Sequence, residues 1–247
     1  MAEMSPVTTD TRSSDAAPAR QRRLWVAIGD IHGRRDLLDR LLDKLDQKLG
    51  DREYQLVFLG DYVDRGTQSR EVIEKLLRIK ETRPDTIFLK GNHEEAMLDF
   101  LGAGPLAEGW IAWGGLQTLQ SYGIEPANHD PADLQESFAE ALPDAHFNFL
   151  MGLERYHDAG PYLFVHAGLS PERPIDAQFD KDLLWIREDF FSADPAAFDG
   201  KTIVHGHTPT KKPENVGWRI NVDTGAVWSN KLTAVVLGGK RPAFMST

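Results

Sequence analysis

The sequence predicts an α/β fold built on a parallel sheet. Three observations carry this. Short apolar runs of strand length alternate with amphipathic helical stretches, as in β-α-β-α-β units. Turn residues, rich in Gly and Pro, punctuate the alternation. The apolar runs end abruptly in Gly followed by Asp, Asn or His, which is how strands feed a ligand-binding edge in such folds.

The elements follow in order. Residues 1–22 are rich in Ser, Thr, Ala, Pro and Asp with no apolar period, and read as a disordered, solvated tail ending in a basic PARQRR. Leu24–Ile28 is a first strand. In the stretch 36–49, Leu37, Leu38, Leu41, Leu42, Leu45 and Leu49 recur at helical spacing. Residues 56–59 form a second strand. Residues 69–80 form a second helix with Val72, Ile73, Leu76 and Leu77 on one face, broken by Pro84-Asp85. Residues 86–89 are a third strand. Residues 95–160 read as a helical insertion, with helical pieces at 95–101, 116–122, 133–142 and 147–153, and with Trp110 and Trp113 between them. Strands return at Tyr162–Val165, 202–204, 218–222 and 232–237. Residues 23–247 are expected to form a single domain.

Bulk properties narrow the function. With 38 acidic residues against 28 Lys and Arg, the formal charge is −10. Non-specific binding to nucleic acid or anionic lipid needs a basic surface, so neither is expected as a partner. There is no cysteine, which rules out disulfides, thiolate metal ligands and a cysteine nucleophile. No apolar run nears the roughly 20 residues needed to span a bilayer, and the start of the chain lacks the apolar stretch of a secretory signal. A cytoplasmic protein is expected.

The strand ends hold the chemistry. They read Gly29-Asp30-Ile31-His32-Gly33, Gly60-Asp61-Tyr62-Val63-Asp64-Arg65-Gly66, Gly91-Asn92-His93-Glu94, His166-Ala167-Gly168, His205-Gly206-His207-Thr208 and Asp223-Thr224-Gly225. Each alone is ordinary turn chemistry, but six strands ending in the same donor types is not. Five of the eight histidines lie in these turns. Asp, Asn and His without sulfur suit Mn, Fe or Zn. The set exceeds what one ion needs and fits two ions sharing a carboxylate, an arrangement suited to in-line displacement at phosphorus. Nearby arginines suit phosphoryl oxygens. No Walker-type loop occurs, and Gly102-x-Gly104-x-x-Ala107 follows a helical stretch, so it is no dinucleotide fingerprint.

GDIHG, GDYVDRG, GNHE, HAGL and HGHT in this order resemble the phosphoprotein phosphatase family of metallophosphoesterases in its short bacterial and phage form. The resemblance implies a sandwich of two β-sheets flanked by helices. It implies a first metal held by Asp30 and His32, Asp61 bridging to a second, and Asn92, His166 and His207 holding that second ion. A water or hydroxide between the metals attacks phosphorus directly. His93 protonates the leaving oxygen, Asp64 orients His93, and Arg65 binds the phosphoryl group. The family's second phosphate-binding arginine matches Arg187 by order and context, ahead of Arg173. His205 is expected behind the ligands, and Asp223 stands either as an orienting group or as a plain turn. Within the family, GNHE, Thr208-Pro209 and the stretch 113–119 look like the serine/threonine protein phosphatase branch, with Mn²⁺ the expected metal and a phosphorylated protein or peptide the expected substrate. The alternative is a bis(5′-nucleosyl)-tetraphosphatase, and a non-catalytic phosphate-binding protein is the reading from another class.

Overall fold

The computed structural model describes residues 24–125 and 131–247; the expected tail at 1–22 lies outside them. The first half of the chain runs β1 (Leu24–Ile28), α1 (Arg35–Leu49), β2 (Tyr54–Phe58), α2 (Ser69–Thr82) and β3 (Ile87–Phe88). A helical stretch follows: α3 (Asn92–Leu101), α4 (Ala107–Trp110), a π-helical segment at Ile111–Gly115, α5 (Leu116–Ser121), α6 (Pro131–Ala141) and α7 (Asp144–Met151). The chain continues through β4 (Tyr156–Asp158), β5 (Tyr162–Val165), α8 (Asp180–Trp185), α9 (Glu188–Phe191), β6 (Thr202–His205), β7 (Glu214–Asn215) and β8 (Arg219–Asn221). It closes with α10 (Ala226–Ser229), β9 (Thr233–Leu237) and β10 (Ala243–Ser246).

The strands form two five-stranded sheets, ordered β10-β9-β1-β2-β3 and β4-β5-β6-β8-β7. β1, β2 and β3 are parallel, as are β5, β6 and β8, while β9, β10, β4 and β7 pair antiparallel at the edges. The parallel sheet expected from the β-α alternation is therefore mixed, while the two-sheet sandwich that the resemblance implies is borne out. Strand alternation explains the layering, because successive side chains point to opposite faces. Ala27, Val57 and Leu59 face Phe164, Val204, Ile220 and Val222 of the second sheet, and this apolar layer joins the sheets. Val26, Ile28, Leu56 and Phe58 face the other way and meet the leucines of α1, the apolar stripe of α2 and the helical stretch. Leu163, Val165 and Ile203 turn toward Leu183, Leu184, Phe190 and Phe198. The result is four layers, helix, sheet, sheet, helix.

Most boundaries shift from the sequence reading by one to three residues, and three differences bear on the architecture. α3 begins at Asn92 rather than at 95, because the Glu94 side chain accepts the amide of Gly91 and closes the first turn. The helical stretch ends at Met151. Tyr156–Asp158, within the range read as helical, is an edge strand paired to β5, too short to show a period. Among the described residues no helix is long and apolar enough to cross a membrane.

Candidate metal and phosphate site

The site grows from the C-terminal ends of β1, β2, β3, β5, β6 and β8, where the chain leaves both sheets along one edge. Its backbone is strained. Eight non-glycine residues among those described have positive φ, and five belong to the candidate site: His32, Asp61, Asp64, Arg65 and His207, at 46°, 53°, 71°, 68° and 64°. Each such conformation costs on the order of 1 kcal/mol, and the surroundings enforce it. Glu94 does much of this. It is fully buried, and its carboxylate accepts the amides of Gly91, Asp61, Tyr62 and Val63 at 2.7–3.2 Å. It ties the loop after β2 to the start of α3. Burial and the charge of Asp61 push its carboxyl up to about 7, against the pull of these amides. Glu94→Ala would leave four amides unpaired in the interior. We expect a loss of about 3 kcal/mol, read as a lower unfolding midpoint in a thermal melt.

Asp61 sits at the centre. Its Oδ2 lies 3.4 Å from Nε2 of His32, and its Oδ1 lies 3.4 Å from Nε2 of His166. Nδ1 of His32 is bonded to the carbonyl of Val63 at 2.9 Å, and Nδ1 of His166 to the carbonyl of Leu59 at 2.8 Å. A carbonyl only accepts, so each Nδ1 carries the proton and each Nε2 offers a lone pair. Two acceptor pairs thus face each other, one at each oxygen of Asp61, and a cation between the members of each pair relieves the repulsion. Burial lowers the pKa of His32 and of His166 and keeps both neutral, as ligands must be.

Asp61 is common to two groups of converging donors, His32–Asp61–His93 and Asp61–His166–His207, whose ligand atoms lie within 4.8 Å of one another in each group. The Asn92 side chain joins the second through Oδ1, 2.9 Å from both His166 Nε2 and His207 Nδ1. Asp30, the expected ligand of the first ion, is buried but stands outside both converging groups, and its carboxylate accepts the amide of His207. Gly206 leaves it room, since a Cβ there would collide with Asp30. Burial, Asp223 and Asp61 push the Asp30 carboxyl well up. Burial would raise Asp61 too, but the imidazoles of His166, His93, His32 and His207 outweigh it and hold it well below the usual range. Converging oxygen and imidazole donors around buried, mutually repelling carboxylates fit two divalent cations.

His93 has a different setting. Its Nδ1 is 2.6 Å from Oδ2 of Asp64. Burial opposes its charge, but Asp61 and Asp64 prevail and raise its pKa. Asp64 is fully buried. It accepts the indole N–H of Trp110 at 2.9 Å and the hydroxyl of Thr118 at 2.6 Å, and its amide donates to Thr118 Oγ1. The sequence reading placed Trp110 between helical pieces of the insertion and Thr118 in the branch-like stretch 113–119, and tied neither to Asp64. Between them the helical path is kinked at Gly114, φ 117°, a conformation that favours glycine; Gly114 packs against Arg65, whose amide donates to the Gly114 carbonyl. Trp110→Phe keeps the packing and removes the N–H. A fall in turnover of about tenfold is expected, the scale of losing a supporting hydrogen bond behind a catalytic imidazole, measured by steady-state kinetics.

Both expected arginines reach the site. Arg65 points its guanidinium at Nε2 of His32 (2.6 Å) and of His93 (2.8 Å). Arg187 places Nε 3.1 Å from Nε2 of His207. Arg173 is instead engaged away from the ligands, with Asp182 at 3.1 Å and over the ring of Phe179. His205 is set back as expected. Its ring packs against Phe190 and Phe191, and burial lowers its pKa to about 3. Asp223 caps its own turn through the amide of Gly225 at 2.8 Å. Burial pushes it up to about 6, with Asp61 adding to the rise.

Comparisons with known proteins accord with this geometry. Residues 25–238 match the calcineurin-like phosphoesterase family. The asymmetrical bis(5′-nucleosyl)-tetraphosphatase PrpE of Bacillus velezensis is 28% identical over 228 residues, covering 83% of this chain and 86% of its own. Two solved structures share the fold. A candidate diadenosine tetraphosphatase has a TM-score of 0.63 at 23% identity, covering 93% of this chain and 96% of that one. A cold-active protein tyrosine phosphatase has a TM-score of 0.66 at 20% identity, covering 92% and 78%. With the two-sheet fold, the strand-end donors and a match spanning most of its length, this chain belongs to the calcineurin-like phosphoesterase family of metal-dependent hydrolases.

Proposed function

We propose that the protein hydrolyses dinucleoside tetraphosphates, with phosphoprotein hydrolysis as the reading this displaces. The observation that carries the choice is a cavity of about 540 Å³ beside the ligands, lined by Trp113, Trp185, Leu106, Pro105 and Lys181 together with Glu95 and Asp99. Trp185 packs edge-on to Trp113 at 5.2 Å and reaches His207 at 6.5 Å between ring centroids. Such a volume suits a nucleoside, and Trp113 and Trp185 give it aromatic surface on which a base can stack. The activity named for the Bacillus velezensis relative supports the same reading. Two sequence features that favoured a protein phosphatase lose weight: Glu94 is wholly buried among backbone amides, and the hydroxyl of Thr208 is shielded from solvent.

In this proposal Asp30, His32 and Asp61 hold one divalent ion, and Asp61, Asn92, His166 and His207 the other, with Mn²⁺ as the expected metal. Two such ions would supply an activated water and neutralise phosphoryl charge. Arg65 and Arg187 grip the phosphoryl oxygens of the attacked group. Once Arg65 turns to the phosphoryl group, Nε2 of His93 is free to carry a proton to the leaving oxygen. Asp64 holds the ring by Nδ1, and Trp110 and Thr118 hold Asp64. The setting would be cytoplasmic, where such nucleotides occur as free solutes. Arg187→Ala is expected to raise KM about tenfold with a smaller change in kcat, and Arg173→Ala to change neither.

The test is a substrate panel with Mn²⁺: diadenosine tetraphosphate, a phosphoserine peptide, a phosphotyrosine peptide and ATP. The expected result is turnover of diadenosine tetraphosphate with the highest kcat/KM, giving ATP and AMP. Rapid turnover of phosphopeptides with diadenosine tetraphosphate untouched would overturn the proposal.

A further inference from the structure

We propose that Trp228 is a nucleobase-stacking residue that sets substrate specificity at the rim of the site, an inference that rests on the dinucleotide reading above. Trp228 is 65% exposed, the most of any large hydrophobic side chain among the described residues. A tryptophan ordinarily gains by burial, and this one is held out in the open beside the catalytic groups. The guanidinium carbon of Arg65 lies 5.1 Å from its ring centroid, and the same guanidinium meets His32 and His93. The indole is therefore one guanidinium away from the expected phosphoryl position, with Arg65 toward one face and solvent open to the ring.

The ring is displayed by a fixed support. α10 is a single turn whose flanking residues, Gly225 and Asn230, both take left-handed conformations, at φ 65° and 58°. A Cβ on residue 225 would meet the indole edge at 3.2 Å, so glycine makes room for the ring there. Arg34 straps the turn from outside. It donates to the carbonyl of Ala226 at 3.2 Å and to Oδ1 of Asn230 at 2.5 Å, while Asp36 holds its guanidinium at 2.7 Å. A rigid, solvent-facing aromatic plane next to a phosphate-binding arginine suits a base attached to that phosphate through a ribose. It differs from the Trp113–Trp185 cavity on the side of His207, so a substrate with two nucleosides has an aromatic surface for each.

The experiment compares inhibitors with and without a base against Trp228→Ala and Trp228→Phe. With diadenosine tetraphosphate as substrate, Trp228→Ala is expected to raise KM and the Ki of ATP about tenfold, equivalent to about 1.4 kcal/mol of stacking. The Ki of inorganic tripolyphosphate should stay within about twofold, and Trp228→Phe should keep most of the ATP affinity. An unchanged Ki of ATP in Trp228→Ala overturns the proposal. So does an equal rise for ATP and tripolyphosphate, since Trp228 then only positions Arg65. If the wild-type chain leaves diadenosine tetraphosphate intact, the reading of the reaction fails. Competition of ATP and tripolyphosphate with whichever phosphoester it does cleave still decides the role of the ring.

Discussion

Asp61→Asn is expected to abolish hydrolysis, with kcat falling by more than about 10³-fold, the scale of losing a charged group that stabilises a developing transition state. The variant is nearly isosteric, so its effect is electrostatic. It removes the one negative charge that faces both His32, through Oδ2, and His166, through Oδ1, at 3.4 Å, and with it the carboxylate that the two expected ions share. The amide oxygen of Asn can still accept the His93 N–H that Asp61 Oδ1 accepts at 3.1 Å, so the start of α3 keeps its anchor. The anionic ligand common to both expected ions would become neutral, and the affinity for both ions should fall together. Steady-state kinetics with excess Mn²⁺ and metal analysis of the dialysed protein check this. Retention of one ion with full affinity would mean that Asp61 serves a single site.

His93→Asn should lower kcat by about 10²- to 10⁴-fold on alkyl phosphates, the usual contribution of general acid catalysis. It should lower it far less on 4-nitrophenyl phosphate, whose leaving group needs little protonation. A polyphosphate leaving group lies between these limits. Asp64 makes a second, pH-dependent check on the same residue. Burial disfavours the charged ring, but Asp61 and Asp64 favour it, so the pKa of His93 stands above its ordinary value. The acid form therefore persists to higher pH than for a free imidazole. Removing the Asp64 charge in Asp64→Asn lowers that pKa, and the alkaline limb of the kcat/KM profile should move to lower pH. Equal losses on aryl and alkyl phosphates in His93→Asn would remove His93 from the role of acid.

Much of this centre was legible because it follows from local rules. Strands announce themselves by apolar runs, and the donors follow each run within a few residues, so Asp30, Asp61, Asn92, His166 and His207 could be gathered without coordinates. Tyr162–Val165 and Leu24–Ile28 were readable to the residue. What the sequence concealed depends on distance along the chain. Trp110 and Thr118 support Asp64 across 46 and 54 residues, and nothing in helical periodicity separates a core indole from one that donates to a buried carboxylate. Glu94 looked like a marker of substrate branch because it completes GNHE, yet its bonds run back into the protein. Trp228 lay in a stretch without a strong pattern, and only the fold sets it beside Arg65. Edge strands such as β4 and β10 each pair with one neighbour, over three and four residues, too little for alternation to register.

The most direct measurement of the central claim is turnover of diadenosine tetraphosphate by chelator-stripped protein titrated with Mn²⁺. The expected result is no turnover in the stripped protein, activity that rises with added metal, and saturation at two ions bound per chain with ATP and AMP as products. Turnover without metal, or saturation at one ion, would contradict the account.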